Sequence, residues 1–315
     1  MCRKITPIIC GRNLYIQEHI SRSPRHSLFS RWKATAALLA LILSPLYFTW
    51  ADDEIENQLK FVYVDNVMTL RHFYSGEHLR FHSDGTLKGD APVGPWTLDG
   101  KIAVTEIHLR GDLLLIKGRR IHQIFDAKDK PHDQLTTIDR YSGKDRDALE
   151  EALNNLVAEI EIELPGEKPD HDQVVSAVDK VFLTPGESMV DIVPSYWRAY
   201  FAKLEGKPSS TQELKKEPVY FIKPGGGVSA PIRTYTPEPE YSLEARKAKF
   251  QGTGVLYLVI DSSGSTRDLQ IVRPLGMGLD EKAVEAVSTW KFDAAKKEGK
   301  PVAVGVDVEV SFRLY

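Results

Sequence analysis

The chain has 315 residues, of which 42% are hydrophobic and 27% charged, and a formal net charge of −3. These values fit a globular protein of about two domains plus extras and leave no basic stripe for nucleic acid. Both cysteines, Cys2 and Cys10, precede the first apolar run, so the rest of the chain offers no disulfide, no thiol nucleophile and no cysteine-based zinc site.

Residues 1–33 carry Arg3, Lys4, Arg12, Arg22, Arg25, Arg31 and Lys33 against a single acid, Glu18. An uncharged stretch follows over 34–51, centred on Leu38, Leu39, Leu41, Ile42, Leu43 and Leu46, and then Asp52, Asp53, Glu54 and Glu56. Basic before and acidic after orients the segment with its N-terminus in the cytoplasm and the remainder exported. As a helix it reaches about 27 Å against a hydrocarbon core of about 30 Å, the lower limit for a span. Pro45 would kink it, and Thr49-Trp50-Ala51 is a small-x-small cleavage site. The segment therefore reads in two ways. As a transmembrane anchor it gives a single-pass inner-membrane protein with its C-terminal part in the periplasm; as a signal peptide it releases the chain to the periplasm.

Residues 55–205 read as a β-rich periplasmic domain followed by helices. Phe61-Val62-Tyr63-Val64 is β-branched and aromatic, His78–His82 alternates apolar and polar residues, and Ser83-Asp84-Gly85-Thr86 is a hairpin signal. Gly94-Pro95-Trp96-Thr97-Leu98-Asp99-Gly100 repeats a turn, short strand and turn, and strands are expected over 102–109 and 113–116. His72, His78, His82, His108 and His122 invite a metal reading. On one strand, however, His78 and His82 lie about 13 Å apart, too far to share an ion, and no metal site is expected. Helices are expected over 145–160 (Leu149, Leu153, Leu156, Val157, Ile160), 173–182 and 187–204, the last interrupted by Pro194. Glu150 and Glu151 read as first-turn charges, not as an acid/base pair. Tyr196, Trp197, Tyr200 and Phe201 form either a core-packing face or an aromatic docking face. Residues 206–227, ending in Pro224-Gly225-Gly226-Gly227, read as a linker with no phosphate-cradle motif.

Residues 228–315 read as helix, strand, strand, helix, strand. Leu243–Ala248 is a short helix and Val255–Ile260 a continuous apolar strand. Asp261–Ser265 is a turn before a return strand, and Asp280–Trp290 is amphipathic. Lys300-Pro301-Val302 opens a final strand in which Val304, Val306, Val308, Val310 and Phe312 alternate with Gly305, Asp307, Glu309, Ser311 and Arg313. A sheet of three strands leaves edges, and a final strand with free backbone groups can accept another strand.

Pro239-Glu240-Tyr241, Ala245, Gly252 with Gly254, Asp261 with Gly264, Trp290-Lys291-Phe292 and Gly299-Lys300-Pro301 follow in this order. Together they resemble the C-terminal domain of TonB-family energy transducers, over about a quarter to a third of the chain. Ser242 and Asp293-Ala294 stand where that family usually has proline. The resemblance implies an α+β chain: a membrane segment, a β-rich middle domain with helices, and a TonB-like module of a three-stranded antiparallel sheet with two helices. It implies a link from the inner membrane to outer-membrane TonB-dependent receptors, whose peptide adds as a strand, and a motor of the ExbB/ExbD type. The alternative is a periplasmic adaptor or homodimerisation module without energy transduction. The implied partner-binding positions are Tyr241, Val302, Val304, Val306, Asp307, Val308, Glu309 and Val310. The structural positions are Gly252, Gly254, Trp290, Phe292 and Pro301. No catalytic residue, metal or cofactor is expected.

Overall fold

A computed structural model describes residues 46–125, 131–133, 156–208, 217–223 and 225–314. The chain divides into two units, Met1–Tyr47 and Phe48–Tyr315. The cysteines, most of the apolar stretch, residues 145–155 of the expected helix over 145–160, and residues 209–216 and 224 of the linker lie outside the described residues.

The first element is a helix, α1, Leu46–Tyr63. It corrects the expected strand at Phe61–Val64. Ile55, Leu59 and Tyr63 repeat every four residues and form one apolar face, on which Leu59 is 1% exposed while Phe61, on another face, is 90% exposed. Packing of that face overrides the β propensity of a short run. The helix ends where the Asn66 side-chain amide donates to the Val62 carbonyl at 2.8 Å and Asp65 adopts φ 63°. No helix among the described residues is long and apolar enough to cross a membrane.

The middle segment is built on a five-stranded sheet. Its elements in chain order are β1 (Val67–Thr69), β2 (His78–Phe81), α2 (Trp96–Asp99), β3 (Lys101–Arg110), β4 (Leu113–Arg120), β5 (Gln123–Phe125), β6 (Pro131–Asp133) and β7 (Val157–Glu163). Three helices follow, α3 (His171–Val181), α4 (Met189–Ile192) and α5 (Ser195–Leu204). The sheet order is β1-β3-β4-β7-β2, with β2 parallel to β7 and the other pairs antiparallel. Two expectations fail here. Trp96–Asp99 is a helical turn, not a strand: the Pro95 carbonyl accepts from the N–H groups of Leu98 and Asp99, and all four side chains are buried. Val157 and Ile160 belong to β7, not to a helix. Ala158, Ile160 and Ile162 face the core while Glu159, Glu161 and Glu163 face out, because the slot between β4 and β2 demands a period of two. Helix α3 starts at an Asp170/Gln173 capping box, and Pro194 precedes α5, where a missing N–H costs nothing.

The C-terminal part comprises β8 (Val219–Phe221), β9 (Ile232–Tyr235), α6 (Leu243–Lys247), β10 (Gly252–Ile260), β11 (Thr266–Arg273), α7 (Leu279–Ser288), β12 (Lys291–Asp293), β13 (Lys296–Lys297), β14 (Lys300–Pro301) and β15 (Ala303–Phe312). Its main sheet has the order β11-β10-β15-β8. Three antiparallel strands and two helices match the expected α+β module, and β8 adds a fourth, parallel strand. Leu256, Leu258 and Ile260 of β10 are buried, as are Ala283 and Val287 of α7. The β10–β11 turn requires Gly264: at φ 83° it lies against β12, and a Cβ there would sit 1.8 Å from the Phe292 carbonyl oxygen. The last long strand begins at Ala303. Lys300 and Pro301 instead pair with Lys297 and Lys296 in a small hairpin, because the left-handed Glu298 and Gly299 turn the chain tightly there.

Middle segment and module share a packed interface within their unit. The Met277 N–H donates to the Gln123 carbonyl at 2.9 Å, the Gly278 N–H to Thr97 Oγ1 at 2.9 Å, and Trp197 Nε1 to Glu281 Oε1 at 2.9 Å. A Cβ at Gly276 would lie 2.1 Å from the Gln123 carbonyl oxygen, so glycine permits this approach.

Candidate functional site: the edge of the C-terminal sheet

β15 pairs with β10 along nearly its whole length, from Phe312 against Gly252 to Val304 against Ile260. On its other side it pairs, among the described residues, only with β8, at Ala303–Val219, Val304–Tyr220 and Gly305–Phe221. Among the described residues, nothing pairs with that side from Val306 to Phe312. The expected free edge is thus open over its second half and closed over its first. The closure was hidden in the segment read as a linker. Val219-Tyr220-Phe221-Ile222, β-branched and aromatic between Pro218 and Pro224, was the signal that could have revealed it.

The expected partner-binding residues divide by side chain. Val304, Val308 and Val310 are buried, so only the backbones of Val308 and Val310 are available to a partner, Val304 being paired with Tyr220. Asp307 and Glu309 are exposed, and Val302 and Val306 are half-buried. Glu309 lies in a row across the sheet with Val255 and Arg273, and the Arg273 guanidinium approaches its carboxylate at 3.9 Å. Tyr241 packs edge-on against Phe312, ring centroids 5.4 Å apart, with its hydroxyl buried and unbonded. Gly305 leaves room for the Tyr257 ring, whose hydroxyl would meet a Cβ there at 2.5 Å. Burial, followed by the charges of Asp268 and Asp307, pushes that hydroxyl above the usual tyrosine range.

Of the positions expected to be structural, Trp290 and Phe292 are buried and Pro301 is not. Trp290 is 6% and Phe292 7% exposed, and Trp290 Nε1 donates to the Pro237 carbonyl at 3.0 Å. Gly252 and Gly254 face Leu275, which a Cβ at Gly252 would meet at 2.7 Å. Pro301 is exposed in the β13–β14 hairpin. At the start of α7, the buried Asp280 carboxylate accepts from the N–H groups of Leu275 at 2.9 Å and Gly276 at 2.6 Å, which fixes the loop after β11. Burial pushes both Asp280 and its neighbour Glu281 above the usual carboxylate range.

Residues 237–314 match the family described as Gram-negative bacterial TonB protein C-terminal. Over 107 residues the chain is 30% identical to Protein TonB of Vibrio cholerae serotype O1, covering 34% of this chain and 41% of that protein. It is 35% identical over 81 residues to Protein tonB2 of Pseudomonas aeruginosa, covering 25% of this chain and 30% of that one. The chain therefore spans less than half the length of these curated relatives. Among solved structures, the solution NMR structure of the Pseudomonas aeruginosa TonB CTD shares 16% identity over 30% of this chain and 96% of that chain, with a TM-score of 0.23.

The remaining candidates resolve within the middle segment. His78 Nδ1 meets Glu159 at 3.0 Å and His82 Nδ1 meets Glu163 at 2.7 Å, so each histidine faces its own carboxylate across β2 and β7. Among the described residues, no group of three or more His, Cys, Asp or Glu side chains could hold a metal ion. Trp197, Tyr200 and Phe201 pack with Trp96 and Phe125 as buried or half-buried rings 5.1–6.1 Å apart, the core-packing alternative and not a docking face.

Proposed function

We propose that this chain is a TonB-like protein of TonB-dependent transport, held at the inner membrane by residues 34–51 with its remainder in the periplasm. Its C-terminal sheet receives a peptide of an outer-membrane TonB-dependent receptor as an added strand. The observation that carries this reading is the open side of β15 from Val306 to Phe312, inside the residues that match the TonB C-terminal family. An unpaired row of backbone donors and acceptors supplies affinity for any extended peptide, and neighbouring side chains supply selection. Asp307 and Glu309 on the exposed face deter unselective edge-to-edge pairing. Coupling to an ExbB/ExbD-type motor belongs to the same reading.

Proline tests the mechanism, since it deletes a backbone donor. Glu309→Pro is compared with Glu309→Ala for binding of a synthetic TonB-box peptide, with the fold checked by amide dispersion. Loss of binding in the proline variant alone supports strand addition. A folded proline variant that binds like the parent rejects it at this edge. Should the parent instead double its mass in solution and the proline variant not, the edge serves self-pairing, as an adaptor or homodimerisation module would require.

A further inference from the structure

We propose that β8 is a built-in competitor, a strand of the chain's own linker that occupies the start of the β15 edge and must leave before a partner strand can use its full length. This inference rests on the reading of β15 as the peptide-binding edge and adds a regulatory device to it.

β8 has only three residues, none of them buried, and Phe221 is 61% exposed. It pairs in parallel with β15, the slightly weaker of the two ladder types. Its other ties are at the surface. The Glu217 carboxylate accepts from the Ser262 N–H at 3.4 Å and lies 3.7 Å from the Arg267 guanidinium, while the Lys297 ammonium sits 4.5 Å above the Tyr220 ring. Val228 and Ser229, beyond the glycine turn, fasten to Lys297 and Lys296. Few buried apolar contacts and exposed hydrogen bonds place such a segment at the low end of local stability. β10, on the other side of β15, pairs nine residues and buries four of its apolar side chains, so it stays. The seven open positions, Val306–Phe312, hold a strand of ordinary length, about five or six residues, and a partner strand that continues past Val306 gains further ladder bonds only by displacing β8.

The competitor is tethered, so its effective concentration is of millimolar order and a partner strand that runs past Val306 binds over its full length only to the fraction that is open. Opening the edge permanently therefore tightens partner binding by the inverse of that fraction, about tenfold if one molecule in ten is open.

Two variants of the full chain test this, both in a Cys2→Ser/Cys10→Ser background. Tyr220→Pro removes a ladder donor and the ring beneath Lys297. Val219→Cys with Ala303→Cys joins two directly paired positions and locks β8 when oxidised. Two probes are used: a synthetic peptide of residues 217–223, titrated to millimolar concentration, and a synthetic TonB-box peptide. Tyr220→Pro is expected to bind the 217–223 peptide, which the parent does not, and to bind the TonB-box peptide about tenfold more tightly than the parent. The oxidised lock is expected to bind the TonB-box peptide more weakly than the same protein after reduction. Equal TonB-box affinity of the oxidised and reduced lock overturns the proposal, as does a folded Tyr220→Pro that ignores the 217–223 peptide. Binding of the 217–223 peptide by Tyr220→Pro with no TonB-box binding by any variant leaves β8 as the cis occupant and overturns the proposed function instead.

Discussion

The indole of Trp197 donates to the Glu281 carboxylate at 2.9 Å, tying α5 of the middle segment to the first turn of α7 in the C-terminal module. The two residues are 84 positions apart, and the glycine run at 225–227 lies between them. The module is thus separated from the middle segment in sequence yet docked on it through Thr97, Gln123 and Trp197.

That docking gives the first prediction. Trp197→Phe keeps the ring in its aromatic cluster and removes one hydrogen bond to a carboxylate, with an expected loss of about 1.5–3 kcal/mol. A fragment of residues 228–315 is expected to keep amide dispersion and to melt below the full chain. A collapsed spectrum from the fragment rules out an independent module.

The second prediction concerns Trp290. It is buried behind the sheet and bonded to the Pro237 carbonyl. Trp290→Ala is expected to destabilise the fold by about 3–5 kcal/mol in urea titration. An unchanged midpoint and slope would place the ring outside the core.

The third concerns Arg120 and Asp99, a buried pair 3.0 Å apart. Arg120 also donates to the carbonyls of Asp99, Tyr74 and Gly76, and Asp99 accepts from Ser75 Oγ. Removing one partner strands a charge, so Arg120→Ala is expected to cost about 3–5 kcal/mol. The double variant Arg120→Met/Asp99→Leu is expected to recover part of that loss. A double variant as unstable as the sum of both single changes contradicts the account.

The fourth is a pH dependence at His122. Burial, reinforced by the Arg120 charge, pushes its imidazole down to about 4. A depressed value means that the unfolded chain binds the proton more readily. The contribution to stability is therefore complete above about 6.5 and is lost as pH falls from there to about 4. His122→Gln is expected to shrink the fall in melting temperature between pH 7 and pH 4.5. Equal falls in parent and variant would sink the assignment.

The sequence by itself determined the C-terminal module, because its signals are local and agree with one another. The alternation of Val304, Val308, Val310 and Phe312, the amphipathic face of Ala283 and Val287, and Gly264 at its turn each point to the element observed. Only the tertiary structure decided elements whose pattern fits two periods or whose partner is distant in the chain. Ile160 has neighbours at both helical and strand spacing, and the slot between β4 and β2 chose the strand. Phe61-Val62-Tyr63 has strand composition, and the buried Leu59 face chose the helix. The state of the β15 edge was the least legible of all. Whether a strand's outer backbone groups are free depends on what lies beside them, and the occupant, Val219–Phe221, comes from a segment 84 residues earlier whose pairing no local propensity encodes.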